Sequence, residues 1–356
     1  MNLSSAPKEL LPIAEKIMAG RRITAAEGLC LFFTPHLAFL QRLADADRKR
    51  RVGNEVLYAS TLHLYPTNLC ELSCPMCSFY AKPGQAKAWF LTPEMIEEKV
   101  RDALSCGLSE VHIVGGLSRS CTAEYFHDVF GRIRALAPRL PIKALTAVEH
   151  AFLARLSNLS LEESLRQLVS WGLTSIPGGG AEIFDDTLRK KIAPGKGSTN
   201  DFLEVHRTAH RLGIRSNVTM LFDHIETPEH IIAHLDTIRR FQDETGGFDT
   251  FVPLKYQPAR NALSRLAAKT PRKDCRRVYA VSRLMLDNVR TIKVLWNYLG
   301  LQEAKELLTW GGNDFGSVTL GERVAAMAGG QTAAATEALL EQTIESLGRT
   351  PKKAQW

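Results

Sequence analysis

The chain has 356 residues, of which 45% are hydrophobic and 23% are charged, and it carries a formal net charge of +7. This composition is typical of a globular protein, and no apolar run reaches the roughly 18 residues that a membrane-spanning helix needs. The first residues, MNLSSAPKEL, lack a basic region followed by an apolar core, so a cytoplasmic location is expected. The positive charges are mixed with acidic residues, which argues against a nucleic-acid-binding face.

The hydrophobic pattern predicts helices in residues 7–50, followed by short apolar runs that alternate with amphipathic helices. Seven runs are predicted to be strands: 56–65, 110–115, 142–148, 173–177, 214–222, 250–256 and 290–296. Helix starts are indicated by Thr92-Pro93 and by capping boxes beginning at Ser160 and Ser198. Repeated β–α units predict parallel strands, and seven candidates with one further weak strand expected favour a (β/α) barrel.

We therefore predict an α/β fold built on a TIM-type (β/α) barrel with helical additions at both ends. Residues 1–55 are predicted to form an N-terminal helical extension, residues 56–300 the barrel, and residues 301–356 a C-terminal helical extension packed on the barrel. The segment after Gly300 is Ala-rich and is predicted to be helical. The last residues, TPKKAQW, are expected to be frayed.

Three of the seven cysteines follow the first predicted strand with the spacing C-x3-C-x2-C, at Cys70, Cys74 and Cys77. In a barrel, the loop after a strand lies at the C-terminal mouth, where active sites are built. The remaining cysteines are scattered and are expected to be small buried apolar residues: Cys30, Cys106, Cys121 and Cys275.

Two kinds of metal site fit three clustered thiols. A structural zinc site needs a fourth ligand, which a distant residue such as His63 or Cys106 would have to supply. A four-iron cluster held by three cysteines leaves one iron open to bind something else. The position of the loop at the barrel mouth favours the cluster, while a zinc protein or a simple electron carrier stays as the alternative.

The cysteine motif, followed by an aromatic residue at Phe79, resembles the signature of radical S-adenosylmethionine enzymes. The resemblance implies a [4Fe–4S] cluster whose open iron chelates the amino and carboxylate groups of S-adenosylmethionine. One electron from the cluster then cleaves the sulfonium to give a 5′-deoxyadenosyl radical. Such an enzyme also needs a reductant, such as a flavodoxin or a ferredoxin.

Seven further segments resemble the aminofutalosine synthases of the futalosine route to menaquinone: 110–117 (EVHIVGGL), 143–149 (KALTAVE), 175–196, 203–221, 224–235, 242–248 (QDETGGF) and 282–288. The resemblance implies addition of the adenosyl radical to 3-[(1-carboxyvinyl)oxy]benzoate, an aromatic dicarboxylate. Rearrangement and decarboxylation then give 6-amino-6-deoxyfutalosine. No general base is assigned, since this chemistry does not strictly demand one. The hydrogen-abstracting cyclic dehypoxanthine futalosine synthases share the cysteine motif and remain the alternative.

Several residues at predicted strand ends are candidates for binding S-adenosylmethionine. Gly115 and Gly116 end the second strand, and the resemblance implies contact with the methionine amino group; a tight strand-to-helix turn is the simpler explanation. Glu182, just after the run of three glycines at 178–180, would accept hydrogen bonds from sugar hydroxyls. By resemblance, Lys196 pairs with the methionine carboxylate, although a surface lysine fits equally well.

The substrate carboxylates need cationic partners if they are buried. His224 and Lys255, at strand ends, and Arg283 are the candidates for contacting the substrate. The helical i, i+4 histidine pairs lack a third ligand and are interpreted as helix-surface residues: His206 with His210, and His230 with His234.

The chain departs from the family pattern at four places, one of which is the C-terminal end, where the family's acidic-aromatic finish is absent. It has Ser118-Arg119 where the family has a histidine, and Asp223 where the family has a glycine. Its stretch 257–263, QPARNAL, differs from the family's H-P-x-N-T form. These departures concern contacts with the substrate, and they leave the cysteine motif intact.

Overall fold

The computed structural model describes residues 3–330 and 335–355. Its strands are β1 Glu55–Leu64, β2 Glu110–Ile113, β3 Ile142–Ala144, β4 Ser175–Ile176, β5 Arg215–Phe222, β6 Phe248–Lys255, β7 Thr291–Ile292, β8 Asp314–Leu320 and β9 Thr350–Lys353. Its helices are α1 Leu11–Met18, α2 Ala25–Phe33, α3 Leu37–Val52, α4 Pro93–Ala103, α5 Ala123–Leu136, α6 Ala147–Leu156, α7 Leu161–Trp171, α8 Asp186–Ile192, α9 Thr199–Arg211, α10 Pro228–Thr245, α11 Ser264–Ala267, α12 Cys275–Met285, α13 Trp296–Leu299, α14 Leu301–Leu308, α15 Val324–Ala328 and α16 Glu337–Glu345.

Eight parallel strands form one curled sheet in the order β7-β6-β5-β4-β3-β2-β1-β8. The two outer strands approach each other through a bridge between Lys293 and Asp314. Neighbours in the sheet are mostly neighbours in the chain and are joined by helices, as parallel strands require. The predicted (β/α) barrel of the TIM type is therefore confirmed.

Strand β1 alternates between an apolar outer face and a more polar inner face. Leu62 and Leu64 of β1 belong to a cluster with Ile96 of α4, so these side chains point towards the helices. His63, between them, points inwards and its ring lies 5.1 Å from that of His112 on β2. Since side chains alternate along a strand, this register carries polar groups into the barrel interior.

Four charged side chains in the barrel interior form two ion pairs. The Lys143 ammonium of β3 lies 2.6 Å from the Glu110 carboxylate of β2, and Lys293 lies 3.2 Å from Asp314 of β8. All four side chains are largely buried. A buried charge is tolerated only with such a partner, so these pairs link neighbouring strands around the barrel beneath the mouth.

The N-terminal helices lie on the outside of the barrel, with α2 against α10 and α12, and α3 against α12. The Arg51 guanidinium, near the end of α3, donates to three carbonyl groups in and after α12, at Arg283, Leu286 and Val289. In the part of the chain that the structure describes, no helix combines the length and apolar character needed to cross a bilayer.

The prediction that everything after Gly300 is helical is wrong. Strand β8 pairs with β1 and completes the barrel, and β9 pairs with the first half of β1. The β8 sequence DFGSVTL contains Gly316 at φ 75°, which weakens the strand pattern. The β9 sequence TPKK includes a proline and two lysines, so only its pairing with residues 55–58 makes it a strand rather than a frayed end.

Candidate active site

A cavity of about 280 Å³ lies at the carboxyl ends of the strands. Its walls come from the segments that follow β1, β2, β3, β4, β6, β7 and β8, and from Leu221 of β5. Residues lining it include Cys70, Cys74, Cys77, Gly115, Gly116, Glu149, Glu182, Lys196, Lys255, Gln257 and Tyr298. Eight of the ten predicted site residues are in this lining, and His224 and Arg283 are not.

The cysteine loop, residues 66–92, is held at several points by backbone hydrogen bonds. The Cys70 N–H donates to the Ala81 carbonyl (3.1 Å), and the Cys77 N–H donates to the Cys74 carbonyl (2.9 Å). The Lys82 ammonium donates to the carbonyl groups of Cys70 and Glu71, each at 2.8 Å. These hydrogen bonds fix the conformation of the loop, and Lys82 satisfies carbonyl groups that have no partner in a strand.

The three thiols differ in their surroundings. Cys74 is buried, whereas Cys70 and Cys77 are partly exposed to the cavity. Burial raises the pKa of the Cys74 thiol to about 11, so its thiolate needs a bound cation to offset the loss of solvation. Of the scattered cysteines, Cys121 and Cys275 are buried as predicted, but Cys30 and Cys106 are exposed, so that prediction is wrong for those two.

The glycine turn after β2 packs directly against the cysteine loop. A Cβ on Gly116 would lie 2.1 Å from the Leu69 carbonyl oxygen and 3.0 Å from the Cys70 Cβ. The Gly116 N–H donates to the Thr67 carbonyl (2.8 Å), and the Leu117 N–H approaches the Cys70 sulfur (3.4 Å). Only glycine allows this approach, because any side chain would force the two loops apart.

Glu149 is a cavity residue that the sequence interpretation did not assign. Its Oε1 accepts from the Gly115 N–H (2.7 Å), and its Oε2 accepts from the Thr146 N–H (2.7 Å) and hydroxyl (2.6 Å). Burial raises the pKa of Glu149 to about 7, against the opposing effect of these hydrogen bonds. The T-x-x-E capping box at 146–149 was the available signal for this residue.

Glu182 and Lys196 form an ion pair of 2.7 Å on the cavity wall. Burial opposes the charge on Lys196, but the Glu182 carboxylate and the Cys74 thiol outweigh it, so the pKa of Lys196 lies above its ordinary value. Glu182 has φ 49°, which the surrounding packing must hold in place. Of the two interpretations of Lys196, the surface lysine is wrong, because its side chain is only 22% exposed and lines the cavity.

His234 braces the turn that carries Glu182. Its Nδ1 accepts from the Phe184 N–H (2.9 Å), and its Nε2 lies 3.0 Å from the Thr219 carbonyl oxygen. The Phe184 ring stacks on it at 4.1 Å. The prediction of a surface histidine is therefore wrong for His234.

The same prediction is wrong for His206, which is fully buried and contacts the Ser216 hydroxyl at 2.8 Å. Both helices place one histidine of the pair in the apolar stripe that faces the barrel. In α9 this stripe includes Phe202, Val205 and Ala209, at the helical spacing of one buried face.

The three predicted substrate-binding residues lie in different places. Lys255, at the end of β6, lines the cavity and pairs with Glu303 at 3.1 Å. Arg283 donates to the carbonyl groups of Gly311 (2.8 Å) and Arg290 (3.1 Å), which precede β8 and β7. Arg283 is thus buried at the opposite end of the barrel, and its assignment to the substrate is wrong.

His224 is at the barrel mouth, but its side chain is held away from the cavity. Its Nδ1 lies 3.2 Å from Glu226, and its Nε2 lies 3.0 Å from the Leu221 carbonyl oxygen. Glu226 also accepts from the N–H groups of Asp223 (2.7 Å) and His224 (2.9 Å). The histidine therefore belongs to a buried polar turn, and the structure does not bring it to the cavity.

The donor set fits a [4Fe–4S] cluster with one open iron. Three thiols share one cavity, and the backbone of Gly115 and Gly116 lines the same cavity beside Cys70. Among the described residues, no three His, Cys, Asp or Glu side chains are gathered around a single-ion site. In a cubane cluster each cysteine binds a separate iron, so the thiols need not converge on one point. The barrel and this site together define an iron–sulfur barrel enzyme.

Comparison with known proteins shows the family to which the chain belongs. The profile of the Radical SAM superfamily matches residues 64–238, and that of the CofH/MqnC C-terminal region matches residues 245–355. The chain is 39% identical over 346 residues to the aminodeoxyfutalosine synthase of Thermus thermophilus, covering 96% of this chain and 93% of that protein. The chain belongs to the radical SAM superfamily, whose enzymes use a [4Fe–4S] cluster and S-adenosylmethionine.

The chain is also similar to a second enzyme of the futalosine route and to a solved barrel structure. The cyclic dehypoxanthine futalosine synthase of Streptomyces coelicolor is 35% identical, covering 96% of this chain and 86% of that protein. The crystal structure of methylornithine synthase superposes with a TM-score of 0.77 at 18% identity, covering 96% of this chain and 97% of that one. This structural likeness supports the barrel fold alone.

We predict that Glu149→Gln weakens S-adenosylmethionine binding by about 10- to 100-fold. Both Glu149 oxygens accept from donors, so the amide nitrogen of glutamine must face an N–H group, and a lost hydrogen bond to a charged group costs about 1.5–3 kcal/mol. Anaerobic calorimetric titration of the cluster-loaded protein measures the change. Glu163→Gln alters the equivalent capping box on the exposed helix α7 and is the matched control. Equal affinity in both variants would contradict the role of Glu149.

The burial of His234 predicts a pH dependence of stability. Burial, with a smaller contribution from the Arg189 charge, lowers the pKa of His234 to about 3, while the unfolded value is about 6.5. The unfolded chain therefore gains the proton first, and stability present above pH 6.5 is lost as the pH falls towards 3.

Between pH 7 and pH 5, the free energy of unfolding of the wild type should fall by about 2 kcal/mol more than that of His234→Gln. Urea unfolding at both pH values measures this difference, and His127→Gln, at an exposed position, controls for loss of an imidazole. Parallel pH dependence of the wild type and His234→Gln would refute the assignment.

Proposed function

We propose that the chain joins the 5′-deoxyadenosyl group of S-adenosylmethionine to 3-[(1-carboxyvinyl)oxy]benzoate in menaquinone biosynthesis. Rearrangement and loss of one carboxylate, as carbon dioxide or bicarbonate, give 6-amino-6-deoxyfutalosine, and methionine is released. The observation that carries the proposal is the 39% identity to an aminodeoxyfutalosine synthase over 96% of the chain.

The three cysteines and the glycine turn have separate binding roles in this reaction. Cys70, Cys74 and Cys77 hold the cluster, which when bound supplies the electron that cleaves S-adenosylmethionine into methionine and the adenosyl radical. The backbone carbonyl groups of Gly115 and Gly116, which line the cavity, accept hydrogen bonds from the methionine ammonium group.

The pair of Glu182 and Lys196 offers one group for each end of the cofactor. Its lysine receives the methionine carboxylate, and its glutamate accepts from the ribose hydroxyls. Because the two side chains are already 2.7 Å apart, each holds the other in position before the cofactor binds.

The aromatic dicarboxylate binds at the cavity wall that contains Lys255 and Tyr298. Lys196 and Lys255 are the cations in the cavity lining among the described residues. Lys255 is therefore the partner proposed for a substrate carboxylate, which would replace Glu303 beside the ammonium group. The wall is otherwise largely apolar, with Leu221, Leu254 and Tyr298, and it excludes water from the reacting carbons.

Cyclic dehypoxanthine futalosine synthesis is the second candidate. The match of residues 245–355 to the CofH/MqnC C-terminal region favours it, as does 35% identity to an enzyme of that kind. In that reaction the adenosyl radical abstracts hydrogen, so 5′-deoxyadenosine is formed instead of an adenosyl adduct.

Mass spectrometry after anaerobic reconstitution separates the candidates. With S-adenosylmethionine, dithionite and the carboxyvinyl benzoate, we expect one 6-amino-6-deoxyfutalosine and one methionine for each S-adenosylmethionine consumed. Cys74→Ala should reduce product formation by at least 1000-fold, while Cys30→Ala, an exposed cysteine on α2, should keep wild-type activity. Free 5′-deoxyadenosine as the sole stoichiometric nucleoside product would contradict the proposal.

A further inference from the structure

A strongly basic segment follows β6 at the barrel mouth. Residues 258–273, PARNALSRLAAKTPRK, contain five cations and no aspartate or glutamate. We call these residues the basic segment. Arg260, Arg265 and Lys269 are exposed, and none of them has a carboxylate within ion-pair distance in the described parts of the chain. Unneutralised charge of one sign on one segment attracts a partner of the opposite sign.

Hydrogen bonds connect the basic segment directly to the cysteine loop. The Leu263 N–H donates to the Pro75 carbonyl (3.0 Å), and the Ser78 hydroxyl donates to the Ala259 carbonyl (2.7 Å). Asn261 donates to the Ser78 hydroxyl at 3.1 Å. Pro75 and Ser78 adjoin the second and third cysteines of the motif, so the exposed cations stand next to the loop that holds the cluster.

A second basic element touches the same stretch of the loop. The Met76 N–H donates to the carbonyl of Ile192, the last residue of α8 (3.2 Å). The two residues before it, Lys190 and Lys191, are exposed. Residues 75 and 76 of the cysteine loop are therefore hydrogen-bonded to two segments that both carry exposed cations.

The basic segment also exposes an apolar side chain, since Leu266 is 48% accessible. Small apolar contacts with a surrounding ring of charge are typical of transient complexes, in which charge directs the encounter and little area is buried. Arg260, Arg265 and Lys269 surround Leu266 in the sequence. This combination fits a partner that binds briefly and then leaves.

We propose that the basic segment, together with Lys190 and Lys191, is the docking surface for an acidic one-electron carrier protein of the flavodoxin or ferredoxin class. The proposal rests on the proposed function, because it requires a cluster held by the three cysteines. In each docking event the carrier is oxidised by one electron, which the cluster accepts, and no covalent bond is made or broken. Docking here brings the donor to a segment that is hydrogen-bonded to Pro75 and Ser78, the neighbours of Cys74 and Cys77.

The test uses an acidic bacterial flavodoxin and the charge-reversal variant Lys190→Glu, Arg265→Glu, Lys269→Glu, called the basic-segment variant. Calorimetric titration should show at least tenfold weaker flavodoxin binding for this variant. Turnover driven by reduced flavodoxin should fall at least tenfold, whereas turnover driven by dithionite, which needs no docking, should stay at the wild-type level. The matched control reverses three exposed cations at the opposite end of the barrel: Lys49→Glu, Arg139→Glu, Arg290→Glu.

Equal flavodoxin binding by the wild type and the basic-segment variant would overturn the proposal, as would an equal loss in the control variant. Salt gives a check without substitutions, because charge-directed binding to the wild type must weaken steeply from 50 to 300 mM NaCl, and salt-independent binding would overturn it. RNA binding lost in the variant, without any flavodoxin binding, would assign the surface to nucleic acid instead. The binding measurement decides docking even if the carboxyvinyl benzoate is not turned over, so failure of the proposed reaction remains distinguishable.

Discussion

The Gly116 backbone lies so close to the cysteine loop that a Cβ would fall 2.1 Å from the Leu69 carbonyl oxygen. This contact joins the turn after β2 to the loop after β1, and the N–H groups of Gly116 and Leu117 reach Thr67 and the Cys70 sulfur. The loop has no strand pairing of its own beyond isolated bridges. The shape of the cysteine loop, and hence the relative position of the three thiols, therefore depends on the close approach of Gly116.

Buried polar residues outside the cysteine motif support this arrangement from below. Glu149 ties Gly115 to the start of α6, and His234 ties the Glu182 turn to β5. Burial disfavours the charged form of both side chains, so the pKa of the Glu149 carboxyl is raised and the pKa of the His234 imidazole is lowered. The residues that face the cavity are thus positioned by residues that are hidden or partly hidden from it, as a site with little room for error requires.

The sequence was sufficient for the barrel and for most of the cavity wall. Strands β1, β5 and β6 are long and apolar, and their predicted bounds lie close to the observed ones. The cysteines, the glycine turn, Glu182 and Lys255 lie at or after strand ends, which meet at one mouth, whereas Lys196 follows α8 and is indicated by the family resemblance. Strand β8 was missed because its pattern is broken by Gly316, and its identity depends on pairing with β1. Arg283 was misplaced because chain position does not reveal which end of the barrel a helix residue reaches. The burial of His206 and His234 does not follow from the i, i+4 spacing, because that spacing alone does not show which face of a helix packs on the barrel.

The central claim is that the three cysteines hold a four-iron cluster whose open iron binds S-adenosylmethionine inside this cavity. Electron–nuclear double resonance of the reduced, reconstituted protein with S-adenosylmethionine labelled with ¹⁵N at the methionine amino group tests this most directly. The account predicts a ¹⁵N hyperfine coupling that reports direct coordination to the cluster in the wild type and its absence in Cys74→Ala. A [4Fe–4S] signal with no ¹⁵N coupling in the wild type, or bound zinc in place of iron, would contradict it.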